Sequence, residues 1–248
     1  MFAVPSRLAA SARAWAGAWP GVCAICRDWD ARGLCAACLQ RYAPQRPRCA
    51  RCARATAVDL PRCGECLRQA SAFDRCIAGA DYLAPWDRLI TAFKFHQHVE
   101  LAGALSRLIE RAVLAAPGDH EAAYRPDLLL PVPLSHERLR ERGYNQAWEL
   151  ARRLARRLDV DATHAWLQRS RDTAHQIGMS RREREQNLRD AFWVEPRARA
   201  ALQGRHVALI DDVLTTGATA HAAAQALVRA GAAPVDVWVV ARTPLGDE

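Results

Sequence analysis

The sequence predicts an α/β protein, a parallel sheet flanked by helices and preceded by a small cysteine-rich module. Three observations carry that expectation. Residues 127–132 and 207–210 are short, mostly apolar runs without polar alternation, as in strands buried on both faces. The second run leads through two acids and a Thr-Thr-Gly loop into an Ala-, Leu- and Val-rich helix from about Ala220 to Arg229. Four Cys-x-x-Cys pairs crowd into 44 residues near the amino end.

A chain of 248 residues, half of them apolar, can bury one substantial core and still carry a small module. The formal charge of +8 and the pI near 9.3 suggest an anionic partner. Arginine supplies nearly all of the basic residues, and Lys94 is the only lysine. If eight cysteines bound two zinc ions as thiolates, the net charge would drop to +4, which weakens basicity as an argument for nucleic acid. No apolar run reaches the roughly eighteen residues of a transmembrane helix. Residues 1–20 read as an amino-terminal extension. Arg7 and Arg13 lie scattered among alanines, with Trp15 and Trp19 four apart, which is not the layout of a signal peptide. The segment reads as a short amphipathic helix packed on its own protein, with a partner or membrane surface as the alternative. The expected location is the cytoplasm, where paired cysteines serve as metal ligands more often than as disulfides.

Residues 21–68 form the cysteine module. Cys23 with Cys26, Cys35 with Cys38, Cys49 with Cys52, and Cys63 with Cys66 each have the spacing that turns two sulfurs toward one ion. Two pairs complete the tetrahedral thiolate set that zinc prefers, so four pairs imply two closed zinc sites and a double zinc ribbon. Sequential pairing leaves 8 and 10 residues between the halves of the two sites, and a cross-braced pairing fits the spacing as well. Large aliphatic residues are scarce here, so metal would supply the folding energy, on the order of 10 kcal/mol per ion. Arg46, Arg48, Arg51, Arg54 and Arg62 read as solvated loop charges, or as phosphate contacts. Cys76 stands outside the pairs and reads as a small buried apolar residue.

The remaining chain, 75–248, reads as one α/β domain. Residues 77–83 give a strand, and Trp86, Leu89, Ile90 and Phe93 recur at helical spacing. Lys94, in that helix's last turn, reads as a dipole partner. A second helix runs from about Val99 to Leu114 and stops at Pro117-Gly118. After the strand at 127–132 comes a loop with Arg138, Arg140 and Arg142, then a long helix to about Leu158. Each of those arginines can donate to two phosphate oxygens at once, or simply solvate a helix start. Between 165 and 195 lies a basic excursion in which Ser180 and Glu183 form a capping box for a helix bearing Arg181, Arg182 and Arg184. It reads as a lid that excludes water from a charged leaving group. His175 is an acid or base candidate there, though a loop histidine usually has no such role.

The organising stretch is Val207–Thr219. Asp211 and Asp212 end an apolar strand where an open α/β sheet presents its ligand crevice. Gly217 permits close backbone approach, while the helix's first amides and the hydroxyls of Thr215, Thr216 and Thr219 make an anion cradle. The plainer alternative is that Thr216 merely caps the following helix. Acids beside an anion cradle suit a ligand with a phosphate at one end and a pair of hydroxyls nearby, as in a ribose 5-phosphate.

These thirteen residues resemble the phosphoribosyl pyrophosphate (PRPP) motif of type I phosphoribosyltransferases. With the double zinc ribbon they make the chain similar to the ComF family, named for competence proteins. The resemblance spans Cys23 to Thr243 and includes Pro131-Val132-Pro133-Leu134 and Arg142-Gly143-Tyr144-Asn145-Gln146. It continues through the series Arg169, Thr173, Gln176, Arg184 and Asn187, then Ala191-Phe192 and Ala241-Arg242-Thr243. A mild departure falls at Ile177-Gly178-Met179. The resemblance implies a type I phosphoribosyltransferase fold and magnesium-dependent PRPP binding, with substitution at the anomeric carbon and release of pyrophosphate. By the same resemblance Asp211 and Asp212 hold the ribose hydroxyls and the magnesium shell, and Thr215, Thr216, Gly217, Ala218 and Thr219 hold the 5-phosphate. Arg138 and Arg142 grip pyrophosphate, and Arg184 closes over it as the third catalytic residue beside the two acids. The acceptor is not implied. Two other readings stay open: a non-catalytic single-stranded DNA-handling competence protein with partners in that machinery, and a PRPP-binding regulator without turnover.

Overall fold

The computed structural model describes residues 21–116, 125–169 and 191–244. They fall into two compact units that divide between Pro44 and Gln45.

In the first unit, a bridge between Val22 and Trp29 brings two short segments together. Helix α1 (Ala36–Tyr42) begins at Cys35, whose sulfur accepts from the Cys38 amide. In the second unit, an antiparallel bridge between Arg48 and Ala55 and a short helix α2 (Gly64–Arg68) frame the other four paired cysteines.

The rest of the second unit is built on five parallel strands in the order β1-β7-β6-β2-β3: β1 (Arg75–Asp81), β7 (Val235–Arg242), β6 (Val207–Leu214), β2 (Leu128–Pro131) and β3 (Asp161–Ala162). Every residue of β2 and of β7 is buried, which accounts for their apolar runs. Successive side chains on a strand take opposite faces. One face packs α4 (Leu101–Leu114) and α6 (Gln146–Leu158). The other buries Leu128, Leu130, Leu209 and Val237 with the alanines of α8 (Ala218–Arg229) in one cluster. Gly79 on β1 allows α4 its close approach, since a Cβ there would lie 2.7 Å from the Leu108 side chain and 3.0 Å from its backbone.

Helix α3 (Trp86–Phe95) follows β1. The arginine segment after β2, expected as a loop, is itself a short helix, α5 (His136–Arg142). Ser135 caps it by accepting from the Arg138 amide, and Gly143, at φ 78°, ends it in a left-handed turn. Strands β4 (Leu167–Arg169) and β5 (Phe192–Val194) form a separate antiparallel pair. A 3-10 turn (Pro196–Ala198) and a single helical turn, α7 (Arg199–Leu202), lead to β6. The expected lid, including Arg184, His175 and the Ser180 capping box, lies outside the described residues. The amino-terminal extension does too.

Candidate functional site

The site is organised at the carboxyl end of β6. This strand does not stop at the acids but continues in register with β7 as far as Leu214 paired with Arg242. Asp211 is half-buried and Asp212 buried. The Asp212 amide donates to Asp211 Oδ1 at 2.8 Å, which folds the first carboxylate back along the strand. Burial, and then the neighbouring Asp212 charge, pushes the Asp211 carboxyl up to about 7, against the opposing pull of Lys94.

Lys94 Nζ lies 2.8 Å from Asp212 Oδ1. The expected dipole partner of α3 is thus the counter-ion of the buried acid. Its position is secured by the Arg142–Gln146 motif. Tyr144 donates its hydroxyl to the Phe93 carbonyl, and its ring lies 5.8 Å from the Phe93 ring. Gln146 Nε2 donates to the Lys94 carbonyl at 3.2 Å. Asn145 caps α6 with its side-chain oxygen and donates from Nδ2 to the Val132 carbonyl, tying the motif to the end of β2. The backbone around Lys94 is thus held by Tyr144 and Gln146, and its side chain by the ion pair with Asp212.

The loop after β6 has the layout of an anion cradle. Gly217 has φ 86°, and a Cβ there would meet only Leu214 Cδ1 at 3.9 Å, so conformation rather than space calls for glycine. Thr215 and Thr216 are exposed. Thr216 Oγ1 accepts from the Ala218 amide at 3.3 Å, but the N-cap of α8 is Gly217 and no side chain caps the helix, so the plainer reading of Thr216 as its cap does not hold. Ala218 and Thr219 form the first turn of α8, where backbone amides point out of the helix.

Arg142 sits in the last turn of α5. It donates to Gln146 Oε1 at 3.1 Å and stacks over the Phe95 ring at 4.9 Å, while its charge acts on Asp211. Arg138 is half-buried in the first turn of the same helix. The structure therefore joins the two acids, the Thr215–Thr219 loop and Arg142, and adds Lys94, whose sequence signal was its being the only lysine. At the end of β7, Arg242 donates to the carbonyls of Leu214 and Thr215. Its side chain is a second addition to the site, present beforehand only as part of the Ala241-Arg242-Thr243 segment of the family resemblance.

The paired cysteines resolve into two sequential sets, Cys23, Cys26, Cys35 and Cys38, and Cys49, Cys52, Cys63 and Cys66. Within each, the sulfurs lie within 4.8 Å of one another, and all of these cysteines are free of disulfides. In the first set the Cys35 amide donates to Cys23 Sγ at 3.4 Å, and in the second the Cys63 amide donates to Cys49 Sγ at 3.1 Å. Burial raises the Cys23 thiol, but backbone donors outweigh it and bring it down to about 6; burial likewise raises Cys63, but the Cys66 amide and hydrogen bonds with the neighbouring sulfurs bring it down to about 7. Burial and neighbouring sulfurs push Cys38 and Cys66 up instead. Thiols crowded this closely become four thiolates only around a cation, so both sets fit a tetrahedral ion such as zinc. Cys76 is fully buried with a raised thiol, as its apolar reading expects.

The ribbon arginines of the second unit divide: Arg48 and Arg51 are largely engaged by protein groups, whereas Arg46, with its side chain 44% exposed, and Arg62 face solvent. Arg48 pairs with Asp81 at 2.8 Å, Arg46 with the same acid at 3.1 Å, and Arg51 donates to Ser71 and to the Asp74 carbonyl. Among the described residues no helix is long and apolar enough to cross a membrane.

Residues 145–247 match the phosphoribosyl transferase domain. The chain is 38% identical over 230 residues to DNA utilization protein YhgH of Shigella flexneri, covering 90% of this chain and 98% of that one. It is 35% identical over 210 residues to competence protein F of Haemophilus influenzae, covering 85% and 90%. A shorter match, 34% over 117 residues, is to competence protein ComFC of Bacillus subtilis, with 47% and 45% covered.

Proposed function

Because the chain belongs to the ComF family of competence and DNA-utilization proteins, with its phosphoribosyl transferase domain, we propose that it binds PRPP with magnesium and transfers the phosphoribosyl group, releasing pyrophosphate. The observation that carries this reading is the joint presence of Asp211, Asp212 and the Gly217 loop at the carboxyl end of β6. The acids accept from the ribose hydroxyls, and Thr215, Thr216, Thr219 and the amides of Gly217 and Ala218 hold the 5-phosphate. The bond from the anomeric carbon to the pyrophosphate oxygen breaks, its electron pair leaves with pyrophosphate, and the acceptor's nucleophilic atom bonds to the anomeric carbon and gives up its proton to solvent. Positive charge grows on the ribose beside two carboxylates, and negative charge grows where Arg138, Arg142 and Arg184 act. Bound with PRPP, magnesium would supply charge neutralisation of the diphosphate, with Asp211 and Asp212 as the residues that would face its shell. The four-cysteine sets each hold a structural zinc ion in this reading, with no coordination position left for chemistry.

The names of the relatives extend the proposal to DNA utilization and competence; DNA uptake, a cytoplasmic location and competence-machinery proteins as partners belong to the same reading. A direct grip on single-stranded DNA by the ribbon arginines has less support, since Arg48 and Arg51 are already engaged. The test is titration calorimetry of zinc-loaded protein with PRPP and magnesium, with the Asp211→Ala/Asp212→Ala variant as control. Saturable binding that the folded variant loses is the expected result. Absence of binding by folded, zinc-loaded wild type overturns the proposal and turns the search to single-stranded DNA.

A further inference from the structure

Arg242 ends β7 with only 4% of its surface exposed. A guanidinium so placed loses its hydration and must recover donor contacts inside the protein. Its hydrogen bonds among the described residues all go to backbone carbonyls. Nε donates to Cys52 O at 3.0 Å, and Nη1 donates to Leu214 O at 2.9 Å, Thr215 O and Thr243 O at 2.9 Å. Cys52 belongs to the second four-cysteine set, whereas Leu214 ends β6 and Thr215 opens the phosphate loop. One rigid, planar side chain thus joins a metal-site knuckle to the cradle.

The knuckle is also bound to the neighbouring strand. The Cys76 amide donates to Ala50 O at 2.9 Å, and Arg48 spans from Ala53 O to Asp81, the residue that faces Arg242 across the β1–β7 pair. Ala53 is buried in the same apolar cluster as α8 and β6. Residues 49–63 have little regular structure of their own, so closure of the four sulfurs around an ion would add to the few contacts that fix the Cys52 carbonyl.

We propose that Arg242 is a positioning residue that couples metal occupancy of the second four-cysteine set to the shape of the phosphate loop, so that zinc and PRPP each strengthen binding of the other. This inference rests on the PRPP reading for its ligand. Equilibrium coupling is reciprocal, so it has two independent readouts. In the first, PRPP with magnesium slows zinc release from wild type to a chromophoric chelator, and the slowed fraction is one of the two ions. In the second, calorimetry shows PRPP affinity weakened about tenfold or more in Arg242→Gln and in Cys63→Ser/Cys66→Ser, partly restored by Arg242→Lys, and unchanged in Cys23→Ser/Cys26→Ser.

Equal weakening by loss of either four-cysteine set would overturn the coupling, because it would report general destabilisation. So would zinc release from wild type that PRPP leaves unchanged while calorimetry shows PRPP bound. Failure of wild type to bind PRPP would defeat the ligand reading instead. In that case zinc release alone decides: the folded Arg242→Gln protein should lose one ion faster than wild type, and an unchanged rate overturns the link between Arg242 and the knuckle.

Discussion

Replacing Asp211 by asparagine should stabilise the ligand-free protein, and by more as pH rises. In the folded chain the carboxyl titrates at about 7, against an ordinary value of 3.8, because burial and the Asp212 charge oppose its ionisation. Between those two values the folded state keeps a proton that the unfolded chain has released, so stability falls as pH rises through this window. Three pH units correspond to about 4 kcal/mol at most. The side chain is only half-buried, so screening by solvent reduces this to about 2 kcal/mol. Roughly half of that penalty has accrued by pH 5.5 and the rest by pH 8. Asparagine keeps a carbonyl oxygen for the Asp212 amide, which leaves the charge as the main change. Thermal unfolding of zinc-loaded protein without PRPP should therefore show the variant's advantage growing by about 2–4 °C from pH 5.5 to pH 8.5. The same variant should bind PRPP roughly tenfold or more weakly, through loss of a charged acceptor. A stability gain that is constant across this range, or a loss throughout it, would refute the assignment of a strained carboxylate to the site.

Two further substitutions probe the neighbours of that acid. Lys94→Met removes the counter-ion of buried Asp212 and should cost about 3 kcal/mol in urea unfolding at pH 8, most of which Asp212→Asn restores in the double variant. A neutral Lys94→Met would mean the ion pair does not hold α3 against β6. Gly217→Ala imposes a left-handed backbone on a residue with a Cβ and should cost about 1 kcal/mol of stability. Calorimetry should then show weaker PRPP binding, and unchanged affinity together with unchanged stability would show that the loop has another accessible shape.

Local chemistry made much of this molecule legible before any fold was known. Apolar runs without alternation marked β2 and β6 as buried parallel strands, because each face of such a strand must meet hydrocarbon. The Thr-Thr-Gly sequence marked the cradle, since a left-handed residue at a strand-to-helix turn is most readily glycine. The spacing of the cysteines implied two four-sulfur sites but left their partners open, as spacing constrains each pair and not the assembly of pairs. Tertiary packing decided that the sets are sequential and that the carbonyls of Cys52 and Thr215 both accept from Arg242. It also decided the partners of the charged residues. Lys94 lies 118 residues from Asp212 in the chain, and Arg48 lies 33 from Asp81. A charge in a sequence has the same appearance whether it ends in water or against a buried acid. The choice depends on which strand and helix ends converge, and that is a property of the folded sheet, with its parallel strands all opening at one edge.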